Sequence, residues 1–315
     1  MDFNRDAELD TSQVEDLRGS GGGGGGLGGR VAIGGGGVSI VGVILYLLMS
    51  QLGGGGGSSL PDMTQLGSGF DQLQSGQQVD DNTLKNSCKT GQDASDRRDC
   101  EAVAVINSLQ SFWSAKLGRQ YRPADTRFFR GSVRTDGCGG ATSASGPFYC
   151  PADGKVYIDL DFYDELEQQF HAEGGRFARA YVLAHEYGHH VQNLIGTPSK
   201  ARSMAAATGP TGSSVRLELQ ADCYAGVWAN HAATTTDKSG HTLISGISQD
   251  DINAALDTAE KIGDDNIQSE IAHQQVDQSQ FTHGSSAQRQ KWLTRGLSTG
   301  DTKQCDTISR GVNLG

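Results

Sequence analysis

A run of nine residues, AHEYGHHVQ from Ala184 to Gln192, holds three histidines and a glutamate within six positions. His185 and His189 are four residues apart, so on an α-helix both side chains lie on one face, one turn apart. Two imidazole nitrogens at that spacing can reach one ion at about 2 Å. The pattern H-E-x-x-H therefore predicts a zinc site with His185 and His189 as ligands.

Glu186 supplies the second chemical function of this pattern. From the same helix its carboxylate can reach a water on the ion and act as general base, and zinc lowers the pKa of that water towards 7. A helix with solvated His and Glu is the alternative, but the apolar flanks of YVLAHEYGHHVQNLI favour a core helix, whose polar groups need partners. His190 points about 100° away round the helix. We expect it to be packed or hydrogen-bonded rather than a ligand.

A catalytic zinc has three protein ligands and an open position, so a third ligand is needed. The metzincin pattern fails, because Gln192 and Ile195 stand where it has glycine and the third histidine. The segment RLELQADCYAGVW, residues 216–228, offers Glu218 and Asp222 on one face of an otherwise apolar helix. We expect Glu218 to be the third ligand and Asp222 to accept a hydrogen bond from the far nitrogen of a ligand histidine. A solvated polar stripe is the alternative.

Two long helices must position these residues, and the hydrophobic pattern predicts a predominantly helical α+β domain with a small sheet. KVYIDL, residues 155–160, alternates in polarity and predicts a strand, either at a sheet edge where extended substrate could add or in the core. A loop is predicted over 199–214, and Ser248 with Asp251 predicts a helix cap. Helical spacing of apolar residues predicts these two helices over 175–195 and 215–232, and two others over 99–117 and 288–297.

Three segments together, HEYGHHVQNLIG, RLELQADCYAGVW and YCPADGKVYIDLDFYDEL, resemble the bacterial putative neutral zinc metallopeptidase family over roughly residues 88–297. The E-x-x-A-D motif is similar to the third-ligand motif of gluzincin-type membrane metalloproteases. The resemblance implies a zincin-like domain, one catalytic Zn²⁺ per chain and a bacterial envelope location, but no substrate. By analogy with zincins, an oxyanion-stabilising group is expected. FTHGSSAQR offers His283 beside Arg289 for that role, an ordinary loop histidine being the alternative.

Six cysteines are present and none lies in a C-x-x-C pattern. An even count in an exported domain predicts disulfides, for which six cysteines allow 15 pairings. Two pairs share a separation of twelve residues, which favours two local loops and leaves the last two cysteines to join the C-terminus to the core. Free buried thiols are the alternative. The predicted pairs are Cys88 with Cys100, Cys138 with Cys150, and Cys223 with Cys305.

The N-terminal quarter differs in composition from the rest, since 19 of the 45 glycines lie in the first 57 residues. An uncharged stretch of 22 residues is predicted to be an uncleaved transmembrane anchor rather than a signal peptide. Arg5, Arg18 and Arg30 precede it, so the positive-inside rule places the N-terminus in the cytoplasm and the domain outside. The predicted division is a disordered cytoplasmic tail over 1–30, the single-pass anchor over 31–52, a flexible linker over 53–87 and a metallopeptidase domain over 88–315.

The charge and the motifs together indicate a function class. A net charge of −11 argues against nucleic acid as a partner, because nucleic-acid affinity depends on Lys and Arg. The sequence thus predicts a zinc endopeptidase in the bacterial cell membrane, with an extracytoplasmic catalytic domain and a protein or peptide substrate. Two alternatives stay open: a non-catalytic, zinc-stabilised binding or chaperone-like module of the envelope, and a hydrolase of cell-wall amides.

Overall fold

The protein was analysed as a computed structural model, which describes residues 1–18, 81–203 and 206–315 of the chain. Strands and helices are numbered in chain order. The strands are β1 (Asp2–Phe3), β2 (Val14–Asp16), β3 (Thr126–Phe129), β4 (Ser132–Arg134), β5 (Gly140–Thr142), β6 (Phe148–Cys150), β7 (Lys155–Asp159) and β8 (Ile244–Gly246). The helices are α1 (Asp81–Ser87), α2 (Gly91–Asp96), α3 (Arg98–Leu117), α4 (Phe162–Gln168), α5 (Arg176–Ile195), α6 (Thr197–Arg202), α7 (Ser213–His231), α8 (Gln249–Lys261), α9 (Asp264–Asn266) and α10 (Ser286–Thr299).

A helical core carries the domain, and the predicted α+β class with a small sheet is confirmed. Helix α7 packs against α5 on one side and α10 on the other, while α3 and α8 also contact α5. Helix α5 ends at Gly196, whose φ of 74° is a left-handed conformation that glycine adopts without strain. Ser248 and Asp251 form the predicted capping box of α8. The predicted loop over 199–214 is wrong at its start, where α6 runs to Arg202 with Pro198 in its first turn.

One four-stranded sheet lies beside the helices, in the order β2-β3-β7-β6. Its first three strands are parallel, and β6 runs antiparallel to β7 with Tyr149 opposite Val156. The alternating segment 155–160 therefore forms an interior strand, β7, and its reading as an edge strand is wrong. The edge next to the helices is β6, which contacts α5.

The first eighteen residues are folded, so the prediction of disorder over 1–30 is wrong for this part; residues 19–30 lie outside the described residues. Strand β1 pairs with β8, and β2 adds in parallel to β3. Phe3 is buried in the main core, and the Met1 ammonium contacts the carboxylate of Asp251. This short polar segment folds because its few apolar side chains pack against distant parts of the chain, and its two strands pair with distant strands.

The predicted single-pass membrane anchor is corrected by two observations. No helix in the described parts of the chain is long and apolar enough to cross a bilayer, and the predicted span 31–52 lies outside them. The topology also fails, because residues 1–18 pack into the same domain that was predicted to lie across the membrane from them. One membrane span between residues 1–18 and the domain would put β2 and β3 on opposite sides of the bilayer, although the two strands are paired. The predicted linker likewise ends early, since α1 occupies 81–87.

All three predicted disulfides are confirmed. Cys88 is joined to Cys100, Cys138 to Cys150, and Cys223 to Cys305. The last bridge links α7 to the C-terminal segment across 82 residues of sequence. It therefore fastens the helix that carries Glu218 and Asp222 to the end of the chain.

Candidate metal centre and active site

Helices α5 and α7 meet at a point where there is no room for a side chain. A Cβ atom on Gly188 would lie 2.9 Å from the Cα atom of Ala221 and 3.0 Å from its carbonyl oxygen. The glycine within HEYGH is therefore required by the packing of α5 on α7. Close contact of the two backbones brings the polar face of α5 within reach of the polar face of α7.

Three side chains converge at this contact. The Nε2 atom of His185 lies 3.1 Å from Nε2 of His189 and 3.0 Å from Oε2 of Glu218. Nε2 of His189 lies 3.4 Å from the other carboxylate oxygen, Oε1. His185 and Glu218 are buried, and His189 is partly exposed. The two helices thus bring together the three residues predicted to bind a metal.

The far nitrogen of each histidine is occupied, which determines the nitrogen that faces the cluster. His185 Nδ1 is 2.7 Å from Oδ1 of Asp222, a carboxylate that can only accept, so Nδ1 carries the hydrogen. His189 Nδ1 is 3.0 Å from the side-chain oxygen of Gln192. Both rings therefore turn their Nε2 atoms towards Glu218. Gln192 was not foreseen as a partner, although its position three residues beyond His189 on a core helix could have indicated it.

The donor set and its spacing fit zinc. Zinc binds histidine nitrogen and carboxylate oxygen at about 2.0–2.2 Å, so two ligands at a tetrahedral angle are about 3.3 Å apart. The three separations of 3.0, 3.1 and 3.4 Å lie close to that value. Two histidines and one glutamate also leave a fourth position without a protein ligand, as in catalytic zinc sites. The second cluster of this kind in the described parts of the chain, Cys88, Asp99 and Cys100, contains a disulfide and lacks free thiolates.

The charges of the cluster favour a cation. Burial would lower the pKa of His185, but the carboxylates of Asp222 and Glu218 outweigh it and raise that pKa to about 10. Burial would raise the pKa of Glu218, yet His189 and His185 hold it well below its ordinary value. The site thus keeps Glu218 ionised in a buried position. A buried carboxylate between two imidazoles is an arrangement that attracts positive charge.

Glu186 lies beside the cluster and does not take part in it. The backbone N–H of Tyr149 in β6 interacts with the Glu186 carboxylate and acts to lower its pKa. One carboxylate oxygen, Oε2, is buried and has no hydrogen-bond partner in the described part of the chain. Burial raises the pKa of Glu186 above its ordinary value. A buried carboxylate with a raised pKa, and with one oxygen that lacks a partner among the described residues, is suited to taking up and releasing a proton.

Asp222 is held by more than the predicted hydrogen bond to His185. Arg289 of α10, fully buried, donates from Nε to one carboxylate oxygen at 3.0 Å and from Nη2 to the other at 2.9 Å. Tyr181 donates its hydroxyl to Oδ1 at 2.7 Å. Burial would raise the pKa of Asp222, but Arg289 and His185 lower it to about 2. From the sequence, Arg289 was named only beside the oxyanion candidate His283, and in the structure its guanidinium is engaged with Asp222.

His283 is buried at the start of the turn before α10. Its Nδ1 lies 3.1 Å from Oδ1 of Asp264, whose other oxygen accepts from the backbone N–H of His283 at 2.7 Å. Nε2 is buried and has no partner among the described residues. The next residue, Gly284, lies against Val215 and Leu219, on the turn of α7 that carries Glu218. Asp264 was not predicted, because no sequence pattern relates it to a histidine 19 residues later.

Comparisons with known proteins agree with the donor set. The sequence model of a family described as "Putative neutral zinc metallopeptidase" matches residues 1–308. "Uncharacterized protein Rv2575" of Mycobacterium tuberculosis is 48% identical over 225 residues, which cover 71% of this chain and 75% of that protein. "Uncharacterized protein YpfJ" of Escherichia coli is 39% identical over 245 residues, covering 76% and 80%. No solved structure matches the chain significantly.

Proposed function

Because the chain belongs to the putative neutral zinc metallopeptidase family, we propose that it is a zinc-dependent endopeptidase with Glu186 as its general base. The observation that carries the proposal is the convergence of His185, His189 and Glu218 at separations that suit one zinc ion. The family match extends over the N-terminal segment as well as the helices of the site. Each chain is proposed to hold one Zn²⁺.

The residues around the ion divide the chemistry between them. Zinc, when bound, polarises a peptide carbonyl and lowers the pKa of water in its open position. Glu186 takes the proton of the attacking water on Oε2 and delivers it to the leaving nitrogen as the C–N bond breaks. Two observations support this role: Oε2 has no partner among the described residues, and burial raises the pKa of the carboxylate. Asp222 keeps the His185 ring in the orientation that turns Nε2 to the ion.

His283 is proposed to stabilise the oxyanion that develops on the scissile carbonyl. Asp264 binds Nδ1, so Nε2 is the ring nitrogen that has no partner among the described residues. A histidine held from behind by a carboxylate is well suited to donate from Nε2 to developing negative charge. Its place beside the α7 turn that carries Glu218 supports this assignment.

An extended peptide is the substrate that suits the neighbouring strand. Strand β6 pairs with β7 on one side only, within the described residues, and its Tyr149 N–H already reaches Glu186. A peptide that adds to this edge would run past the general base. This arrangement favours a peptide over a compact cell-wall amide.

Substitution of Glu186 by Gln tests the proposal. The variant is expected to keep about one zinc per chain, because Glu186 is not among the converging donors, and to lose at least about 10³-fold in kcat, the upper range for loss of a general base. Wild type and variant are compared on a peptide library by mass spectrometry, with metal content measured on the same samples. Wild-type cleavage must also stop with a chelator and return with Zn²⁺.

Two results would contradict the proposal in different ways. Full activity of the Glu186→Gln variant would exclude Glu186 as the base. A zinc-loaded wild type that cleaves no peptide would favour the binding-module alternative, and release of amines from cell-wall fragments instead of peptides would favour the amide hydrolase.

A further inference from the structure

Tyr149 in β6 is held at three points by helix α5. Its hydroxyl lies 3.2 Å from Nδ1 of His190 and 3.0 Å from Nδ2 of Asn193, and its backbone N–H interacts with the Glu186 carboxylate. Residues 186, 190 and 193 are spaced i, i+4 and i+7, which places them along one stripe of the helix. A single residue of the strand is therefore fixed against about two turns of α5.

The hydrogen bonds of this cluster are mutually consistent. His190 Nε2 lies 2.6 Å from the carbonyl oxygen of Arg122, which can only accept, so Nε2 carries the hydrogen and Nδ1 is an acceptor. The Tyr149 hydroxyl then donates to His190 Nδ1 and accepts from the amide of Asn193. The Tyr149 hydroxyl therefore both donates and accepts one hydrogen bond.

We infer that Tyr149, His190 and Asn193 form a clamp that positions strand β6 relative to the metal centre and to the Glu186 carboxylate beside the strand. The inference rests on the proposed function for its catalytic consequence. Without the two hydroxyl bonds, β6 would be held to α5 by the Glu186 contact alone within this cluster. Movement of the strand would then alter the contact between the Tyr149 N–H and the Glu186 carboxylate, and it would displace the substrate that lies along the same edge.

The clamp also gives a role to the second histidine of the HH pair. His189 turns to the metal cluster, and His190 turns to the strand, so two adjacent residues connect α5 to two parts of the active site. The tautomer of His190 is fixed by a backbone carbonyl of the segment between α3 and β3. Tyr149 is thus a positioning residue that acts through Glu186, and its hydroxyl does not need to contact substrate.

Substitution of Tyr149 by Phe removes the hydroxyl and keeps the ring. We expect kcat to fall about 10- to 100-fold, the loss typical of a misplacement of about 1 Å, while KM changes less than about twofold and zinc content stays the same. The matched control is Tyr157→Phe, which removes a buried hydroxyl from the adjacent strand β7, where it donates to Asp153 and does not reach α5. An unchanged kcat in Tyr149→Phe, or an equal fall in both variants, would overturn the inference.

His190→Phe provides a second test, because it keeps a ring and removes the acceptor. It should lower kcat like Tyr149→Phe, and the double variant should lose little more than either single variant, since both break the same bond. If the loss of kcat in the double variant equalled the product of the two single-variant losses, the two residues would not act through one clamp. His190→Gln, which keeps an acceptor and a donor, should retain more of the wild-type kcat than His190→Phe.

A measurement without substrate separates the clamp from the proposed function. In the zinc-loaded protein, hydrogen exchange of the Tyr149 amide should quicken in Tyr149→Phe and stay at the wild-type rate in Tyr157→Phe. Unchanged exchange at Tyr149 would exclude the clamp even if the enzyme is active. Faster exchange in a protein that cleaves no peptide would retain the clamp and reject the endopeptidase assignment.

Discussion

At the metal centre, the partner of each histidine's second nitrogen decides what that histidine can do. Asp222 turns the Nε2 atom of His185 to the cluster, and Gln192 does the same for His189. His190, bonded to a backbone carbonyl, offers Nδ1 to the strand instead. The i, i+4 spacing was enough to predict which two histidines meet. Asp222 was also expected as the partner of a ligand histidine. Gln192 and the carbonyl of Arg122 were not foreseen as partners of His189 and His190.

The bidentate hydrogen bonding of Asp222 by Arg289 is another contact that the sequence did not predict. The sequence places the two residues 67 positions apart on different helices, and no periodicity connects them. Only the packing of α10 on α7 brings the guanidinium to the carboxylate. Burial of both charges is acceptable because each is paired and the geometry is bidentate.

Of the two carboxylates of α7, Glu218 should contribute more to zinc affinity than Asp222. Glu218→Ala removes one of the three converging donors, so it is expected to weaken zinc binding more than Asp222→Ala. The Asp222 variant loses only the bond that orients His185, for which about 10- to 100-fold is typical. Competition with a chromophoric chelator measures both dissociation constants. The opposite order would move the third ligand away from Glu218.

Among the helices, sequence periodicity located the elements of the site closely. Predicted ranges of 99–117, 175–195 and 215–232 compare with Arg98–Leu117, Arg176–Ile195 and Ser213–His231. The order of the strands was harder to predict from the sequence, because a five-residue alternating pattern does not show whether a strand has one neighbouring strand or two. β7 has two, β3 and β6, and the open edge belongs to a three-residue strand too short to give a pattern.

Gly188→Ala should separate α5 from α7. The added Cβ would meet the backbone of Ala221 at 2.9 Å, and backbone cannot move aside as a flexible side chain can. We expect a loss of about 1–3 kcal/mol in the free energy of unfolding, the usual cost of overpacking, together with weaker zinc binding because Glu218 moves with α7. Denaturant unfolding and chelator competition measure the two effects.

Gly246→Ala in β8 is the control for this substitution, because a Cβ there meets nothing within 4 Å. It should leave both quantities nearly unchanged. Equal effects of the two substitutions, or wild-type zinc affinity in Gly188→Ala, would show that the close contact of the helices does not set the position of Glu218.

Over the whole molecule, the sequence predicted the covalent links better than the path of the chain. Equal spacing of twelve gave the two local disulfides, and elimination gave the third. The docking of residues 1–18 was missed because composition describes only a segment's own capacity to bury surface. Phe3 is opposite Ile244, so its burial depends on residues that a local reading of the N-terminus does not include.

Phe3→Ala measures how much the N-terminal segment contributes to stability. Phe3 is 5% exposed and packs in the main core, so truncation is expected to cost about 3 kcal/mol in the free energy of unfolding. Asp6→Ala, at an exposed position of the same segment, is the control and should be nearly neutral. Unfolding by urea, monitored by tryptophan fluorescence, gives both values. A neutral Phe3→Ala would mean that the segment is not part of the cooperative core.

The position of the N-terminal segment sets an order of events during synthesis. Residues 1–18 are made before the segments that they pack against. Strand β1 pairs with β8 and Met1 contacts Asp251, so these contacts cannot form until residues 244–251 have been made. Contacts between residues so distant in sequence form slowly, because the intervening chain must first be ordered. β2 must likewise wait for β3. Strand β1 can therefore be placed only after β8 has been made, so this N-terminal segment waits for residues far along the chain before it can join the core.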